Sequence, residues 1–260
     1  MLSEHIYQGK RIDDYRIIAE MSSSPTSSVY LAEHSHRPQN SVVMKLFHPK
    51  RISAQKGELF LQEVQLLKKI KHAHMLPILD AAIYEQMPYY ITEYIPKGSL
   101  RDLLDAQSHQ LLPVQESLRI LHEVGQTLQY THQMNIFHGN LKPENVLIHT
   151  TEDALLADFI IVTLRDTINA EQDYSASSFP YMAPEQFLGR VNKDSDQYAL
   201  GCIAYELLTG QAPFVANGYT TFKEKHAAEE PIALTQRNLL LPISYEEAIL
   251  KALELSLIHI

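Results

Sequence analysis

The stretch His138-Gly139-Asn140-Leu141-Lys142-Pro143-Glu144-Asn145 sets the reading of the whole chain. It places two carboxamides, an ammonium and a carboxylate within eight residues. Two short apolar runs follow, Val146-Leu147-Ile148 and Ala154-Leu155-Leu156, and predict strands. Asp158-Phe159-Ile160 begins thirteen residues after Asn145, and Tyr181-Met182-Ala183-Pro184-Glu185 comes next. Residues 195–209, preceded by Asp194, read as a helix apolar on most sides, which implies burial. Upstream, a long helix is predicted over 114–135, with Leu118, Leu121, Val124, Leu128 and Tyr130 as its apolar stripe. Leu100, Leu103 and Leu104 open another helix after Pro96-Lys97-Gly98. Residues 15–95 read differently, as mostly strand with one helix. Tyr15–Ile18, Val29–Ala32, Val42–Lys45, Ile83-Tyr84 and Tyr89–Ile91 are rich in β-formers. His34 to Asn40, with Pro38, reads as a loop, and Gln86-Met87-Pro88 as a turn. From Gly57 the spacing of Phe60, Val64, Leu67 and Ile70 predicts the helix.

These strings, in this order, resemble the serine/threonine protein kinase family, of bacterial type. His138–Asn145 is similar to the catalytic loop H-R-D-L-K-P-E-N, Asp158-Phe159-Ile160 to D-F-G, and Tyr181–Glu185 to the close of the activation segment. Val42-Val43-Met44-Lys45 resembles V-A-I-K, and Asp194–Gly201 the start of a buried central helix. The resemblance spans roughly residues 15–254. It implies an α+β, two-lobed protein-kinase fold: a small sheet-plus-helix N-terminal lobe over 15–95 and a mainly helical, incomplete C-terminal lobe over 96–254. It further implies ATP and Mg²⁺ as cofactors. Lys45 would meet the α/β-phosphates and Glu63 would pair with it. Asn145 and Asp158 would hold Mg²⁺, a hard cation that takes oxygen ligands. Lys142 would steady the γ-phosphate. The hinge falls on Glu93-Tyr94-Ile95, whose backbone would meet adenine, with Thr92 beside it.

The departures from the family pattern bear on activity. Asn140 stands where the family has its catalytic Asp. A carboxylate accepts a hydroxyl proton and a carboxamide at pH 7 does not, and general-base catalysis is typically worth ~10²–10⁴-fold. Ser22, Ser24 and Ser27 replace the three glycines of the nucleotide-covering loop ahead of Val29. Two readings stand there: the loop relaxes into another turn, or it binds phosphate through its hydroxyls. Pro25 removes an N–H donor at the tip. Gly139 replaces the Arg that in many kinases pairs with an activation-segment phosphate, so Ser175, Ser177 and Ser178 would lack that partner. Ser178 aligns with the family's Thr near the substrate-binding loop. Ile160 replaces the last glycine of D-F-G and stiffens that step. Val43 replaces the alanine that roofs adenine and crowds it.

Composition bounds the alternatives. A chain of 260 residues that is 45% hydrophobic and 20% charged is ordinary globular material. Its net charge of −9 argues against grip on nucleic acid or an anionic membrane. A single cysteine, Cys202, rules out an internal disulfide framework and suits a reducing compartment. It reads as a small core residue. No apolar run is long enough to span a bilayer, and Met1–His5 lacks the layout of a signal peptide. The expectation is a cytoplasmic domain, with anchoring beyond residue 260 left open.

Among the histidines, His72 and His74 read as packing and backbone-bonding residues, as does His138. Asp196 is expected to bond the catalytic-loop backbone from below. Residues 1–14 read as an extension. Leu255–Ile260 departs from the family pattern and reads as a non-native tail, which would leave Glu185 without its family partner, an Arg. The leading functional expectation is a kinase-like module that binds ATP but transfers phosphate poorly, with a protein substrate or a partner kinase as its protein contact. A weakly active Ser/Thr kinase and a non-functional fragment are the alternatives.

Overall fold

The structure is a computed structural model that describes residues 7–24, 26–48, 54–107, 111–159 and 174–254. Pro25, Ile160, Met1–His5 and the tail from Leu255 lie outside the described residues, and so do the expectations placed on them. The described chain forms two units. One holds residues up to 71 and 76–94; the other holds 72–75, 95–159 and 174–254.

The first unit is a six-stranded antiparallel sheet with one helix. Its strands are β1 (Arg11–Ile12), β2 (Tyr15–Ser23), β3 (Ser27–His34), β4 (Arg37–Phe47), β5 (Ile78–Tyr84) and β6 (Met87–Glu93), in the order β1-β2-β3-β4-β6-β5. Period-two alternation sends Ile17, Tyr30, Ala32, Met44, Leu46, Tyr89 and Ile91 to one buried face. The opposite face packs on α1 (Ala54–Lys69). There the Phe47 ring on β4 meets Phe60 on α1, with centroids 5.5 Å apart. Phe60, Val64, Leu67 and Ile70 are all buried, as their spacing predicts.

Two connections differ from the sequence reading. β3 and β4 are joined by Ser35-His36 alone, since His34 already pairs with Arg37. Within the polar run read as a loop, only Ser35-His36 form the hairpin tip, and both are exposed. The β5–β6 turn is Glu85-Gln86, with φ of 47° and 67°, because Tyr84 pairs with Met87 and Ile83 with Pro88. Both turn residues are left-handed, as a two-residue type I′ hairpin requires.

The second unit holds α2 (Leu100–Ala106), α3 (Val114–His132), the ribbon β7 (Val146–Ile148) with β8 (Ala154–Leu156), α4 (Lys193–Thr209), α5 (Tyr219–Ala228), α6 (Leu234–Arg237) and α7 (Ile243–Glu254). Ser99 caps α2 in a capping box with Asp102. The buried stripe of α3 is Ser117, Ile120, Glu123, Val124, Thr127, Leu128 and Thr131. Leu118 is exposed, and Leu121 and Tyr130 are only half-buried. Val124 and Leu128 are buried as expected, and beside them Thr127 and Thr131 use their hydroxyls to bond backbone, Thr127 reaching the His74 carbonyl at 3.1 Å.

Helix α4 is central and buried along nearly its whole length. Asn192 caps it, accepting from the N–H groups of Asp194 at 2.8 Å and Ser195 at 3.0 Å. Gly201 lets α7 approach closely: a Cβ there would lie 3.1 Å from a Leu253 methyl and 3.3 Å from the Ala252 Cβ. Cys202 is fully buried, and burial raises its thiol well above the ordinary range, consistent with a core role. Among the described residues no helix is long and apolar enough to cross a membrane.

His226 on α5 packs against the rings of Phe214, Phe222 and Phe187, and its Nδ1 lies 2.7 Å from the Tyr198 hydroxyl. Burial holds its imidazole down to about 3. As pH falls through ~6.5 the unfolded chain takes up this proton and the folded chain does not, so stability falls until about pH 3. Urea denaturation from pH 7.5 to 4 should show wild type losing up to ~1.4 kcal/mol per pH unit from this group alone. The advantage of wild type over His226→Gln should therefore shrink as pH falls; a constant difference would contradict the buried neutral imidazole.

Candidate active site

In the sheet unit, Lys45 sits on β4 between Val29 on β3 and Tyr90 on β6. It shares the α1-facing side of the sheet with Phe47, whose ring centroid lies 5.6 Å from Lys45 Nζ. Glu63 lies one turn after Phe60 on the helix that covers this side. The structure thus brings the two residues to one sheet–helix layer. Val43 pairs with Leu31 and Thr92, and Thr92 is buried. Glu93 is exposed at the end of β6 opposite Val42, and the Tyr94 N–H reaches the Ser41 carbonyl at 3.4 Å. Ile95 is buried, and its carbonyl accepts from Gly98 N–H at 3.1 Å.

The serine-rich loop is a closed hairpin. Ser22 pairs with Val29 and Ser23 with Ser28 as ordinary ladder partners. Ser24 Oγ donates to the Ser27 carbonyl at 3.0 Å and accepts from the Ser27 N–H at 3.1 Å, a local side-chain turn. Ser23 and Ser28 hydroxyls meet at 2.9 Å. The Ser24 hydroxyl is therefore engaged within the turn, while Ser22 stays exposed.

In the helical unit the loop at 138–145 is held from α4. Asp196, fully buried, accepts from the N–H of His138 at 2.7 Å and of Gly139 at 2.6 Å, and meets His132 Nε2 at 2.8 Å. The sequence-based expectation for Asp196 is met. His138 Nε2 bonds the Ala157 carbonyl at 2.8 Å, and its ring lies 4.8 Å from that of Phe159. Its packing and backbone-bonding role follows. His72 and His74 do likewise: His74 Nδ1 lies 3.2 Å from the Ala154 carbonyl, and His72 Nδ1 accepts from His74 N–H at 3.3 Å.

Asn145 Nδ2 donates to the Asn140 carbonyl at 2.7 Å, which leaves the Asn145 carboxamide oxygen out of that bond. The Asn145 carbonyl accepts from Ala157 N–H at 2.9 Å, which places Asp158 one residue beyond a fixed point. Asp158 has φ of 65°, a left-handed backbone that aspartate tolerates better than most residues. One carboxamide oxygen and one carboxylate make a donor set suited to Mg²⁺.

Around Asn140 lies a network of serines. Ser178 Oγ donates to Asn140 Oδ1 at 3.0 Å. Lys142 Nζ, on a buried side chain, donates to Ser175 Oγ at 3.0 Å and Ser177 Oγ at 2.8 Å. Glu185 is buried and accepts from the Ser195 hydroxyl at 2.5 Å. Helix α4 thus supplies this carboxylate with a hydroxyl donor.

Several anchors carry no signal in sequence spacing. Gln186 Nε2 and the Tyr174 hydroxyl both donate to the Gly139 carbonyl, at 2.8 and 3.2 Å. Arg101 on α2 donates to the Tyr181 hydroxyl at 2.6 Å and to Glu206 at 2.8 Å, and Tyr181 donates to Glu206 at 2.5 Å. Burial, then Glu206, pushes the Tyr181 phenol far up. These pairs span 25 to 105 positions, so only the fold brings them together.

Comparison with known proteins gives the family. The protein kinase domain family matches residues 15–252. The serine/threonine-protein kinase PknB of Mycobacterium leprae is 30% identical over 201 residues, 75% of this chain and 32% of that protein. PrkC of Bacillus subtilis, also a serine/threonine-protein kinase, is 30% identical over 247 residues, 94% of this chain and 38% of the relative. This chain thus spans between about a third and a half of the curated relatives it matches. In fold it is similar to the PknI kinase domain of Mycobacterium tuberculosis, with a TM-score of 0.74 for a double mutant at 24% identity, covering 94% of this chain and 89% of that one.

Replacing Asp196 by Asn should cost ~2–3 kcal/mol in chemical denaturation, because two buried N–H donors lose a charged acceptor. Amide hydrogen exchange at 138–140 should rise in the same variant, and unchanged protection there would contradict the anchoring role.

Proposed function

The chain belongs to the protein kinase family, on its bacterial serine/threonine branch, and we propose on that premise that it binds Mg²⁺–ATP and transfers phosphate poorly. The observation that carries this reading is the carboxamide at Asn140. It sits in a loop that keeps His138 and Leu141 through Asn145 of the family pattern, and it accepts from Ser178 as a neutral group. ATP, when bound, supplies the transferable phosphoryl group. Lys45 would neutralise its α/β-phosphates with Glu63 as partner, and Lys142 would meet the γ-phosphate. Asn145 and Asp158 would hold the cation. The backbone at Glu93 and Ile95 would meet adenine. Ser22, Ser24, Ser27 and Val29 would cover the phosphates less closely than glycines do, because side chains keep backbone at a distance. Asn140 would orient a phosphoacceptor hydroxyl without removing its proton.

A weakly active kinase is the second reading. It is favoured by the Ser178–Asn140 hydrogen bond, which shows Oδ1 taking a hydroxyl donor. A proton removed late in a loose transition state would then limit the loss.

Radiolabelled transfer to a generic protein substrate separates the two. Asn140→Asp should raise the rate by ~10²-fold or more. Equal rates for the wild type and Asn140→Asp, both abolished by Lys45→Met, would overturn the impaired reading. Mg²⁺–ATP at about 100 times its Kd should stabilise the chain by ~2.7 kcal/mol, read as a rise in Tm that Lys45→Met removes.

A further inference from the structure

We propose that Ser177 is a phosphoacceptor whose phosphate is captured by Lys142, shutting the loop to nucleotide. The inference rests on the reading of Lys142 as a phosphate-binding residue of the nucleotide site. Ser177 is exposed, whereas Ser178 is buried and Ser175 is half-buried. Ser177 Oγ lies 2.8 Å from Lys142 Nζ, and Ser175 Oγ lies 2.9 Å from Ser177 Oγ and 3.0 Å from the same ammonium. Ser175 continues to Ser178 at 3.1 Å, and Ser178 to Asn140 at 3.0 Å. One hydrogen-bonded chain therefore runs from an exposed hydroxyl, past a buried cation, to the position of the missing base.

The modification is an ordinary transfer from a nucleoside triphosphate supplied by a kinase acting in trans. The bond between the γ-phosphorus and the bridging oxygen breaks, and a bond from Ser177 Oγ to phosphorus forms. The hydroxyl proton passes to the modifying enzyme's base, and the nucleoside diphosphate leaves. The product carries about −1.5 to −2 charges and three acceptor oxygens. Lys142 is already within hydrogen-bond distance of the atom that bears it, so the new contact is charge-assisted. Gly139 offers no side chain to draw the phosphate away. Asn140 is neutral, so the phosphate meets no carboxylate at the far end of the chain. An ammonium held by the phosphate on Ser177 is withdrawn from the γ-phosphate of an incoming nucleotide. This is the reverse of a phosphate that orders an active loop.

The test installs phosphoserine at 177 by genetic-code expansion in the full chain, with folding checked by circular dichroism. A phosphorus-NMR titration should place the second ionisation of this phosphate below its usual ~6, and Lys142→Met should return it to that value. Mg²⁺–ATP binding by calorimetry should weaken by about tenfold or more on phosphorylation. A phosphate that titrates near ~6 in both backgrounds overturns the proposal. So does one captured by Lys142 that leaves a measurable Mg²⁺–ATP affinity unchanged. The titration reads the capture without nucleotide. A chain that binds no Mg²⁺–ATP before modification therefore refutes the nucleotide reading by itself, and the capture is still decided.

Discussion

The buried carboxylate of Asp196 organises the helical unit. It takes two backbone N–H donors from consecutive residues of the 138–145 loop and a histidine nitrogen from α3. A buried charge is tolerated only when its lone pairs are filled, so the loop cannot drift without exposing an unmet donor or an unmet acceptor. Helix α4, which carries Asp196, is itself fixed by the Asn192 cap and by close contact with α7. The order runs from core helix to carboxylate to loop, and the chemistry of residues 140, 142 and 145 inherits that rigidity.

Against this scaffold the substitution at 140 is isolated. The Asn145 bond to the Asn140 carbonyl and the bonds of Gln186 and Tyr174 to the Gly139 carbonyl are main-chain contacts that do not depend on what side chain position 140 carries. An amide in place of an acid therefore alters proton chemistry while the loop's backbone bonds persist. The serine-rich hairpin follows a different logic. There the glycines' backbone freedom is gone, and hydroxyl-to-backbone bonds make a new turn in its place.

What could be read from sequence was local. The stripe of α1 was legible because Phe60, Val64, Leu67 and Ile70 are large and apolar. The loop strings 138–145 and 181–185 were legible because reactive side chains recur in order. The stripe of α3 was legible at Val124 and Leu128 and missed at Thr127 and Thr131, whose hydroxyls bond backbone and which carry no hydrophobic signal. The turn between β5 and β6 was expected at Gln86-Met87-Pro88 and falls at Glu85-Gln86, because neither turn residue is the Asn or Gly that such turns favour. The Arg101–Tyr181–Glu206 cluster and the donor from Ser195 to Glu185 were invisible, since nothing in their spacing foretells contact.

Gly201 also sets what neighbouring sequence is free to do. With no side chain at that point, α7 seats against α4 in a single register, Ala252 and Leu253 filling the notch. A lock of this kind frees the connecting segments from the task of alignment. The stretches between α4, α5 and α7 can lengthen, shorten or change composition over evolutionary time while the two helices keep the same mutual footing.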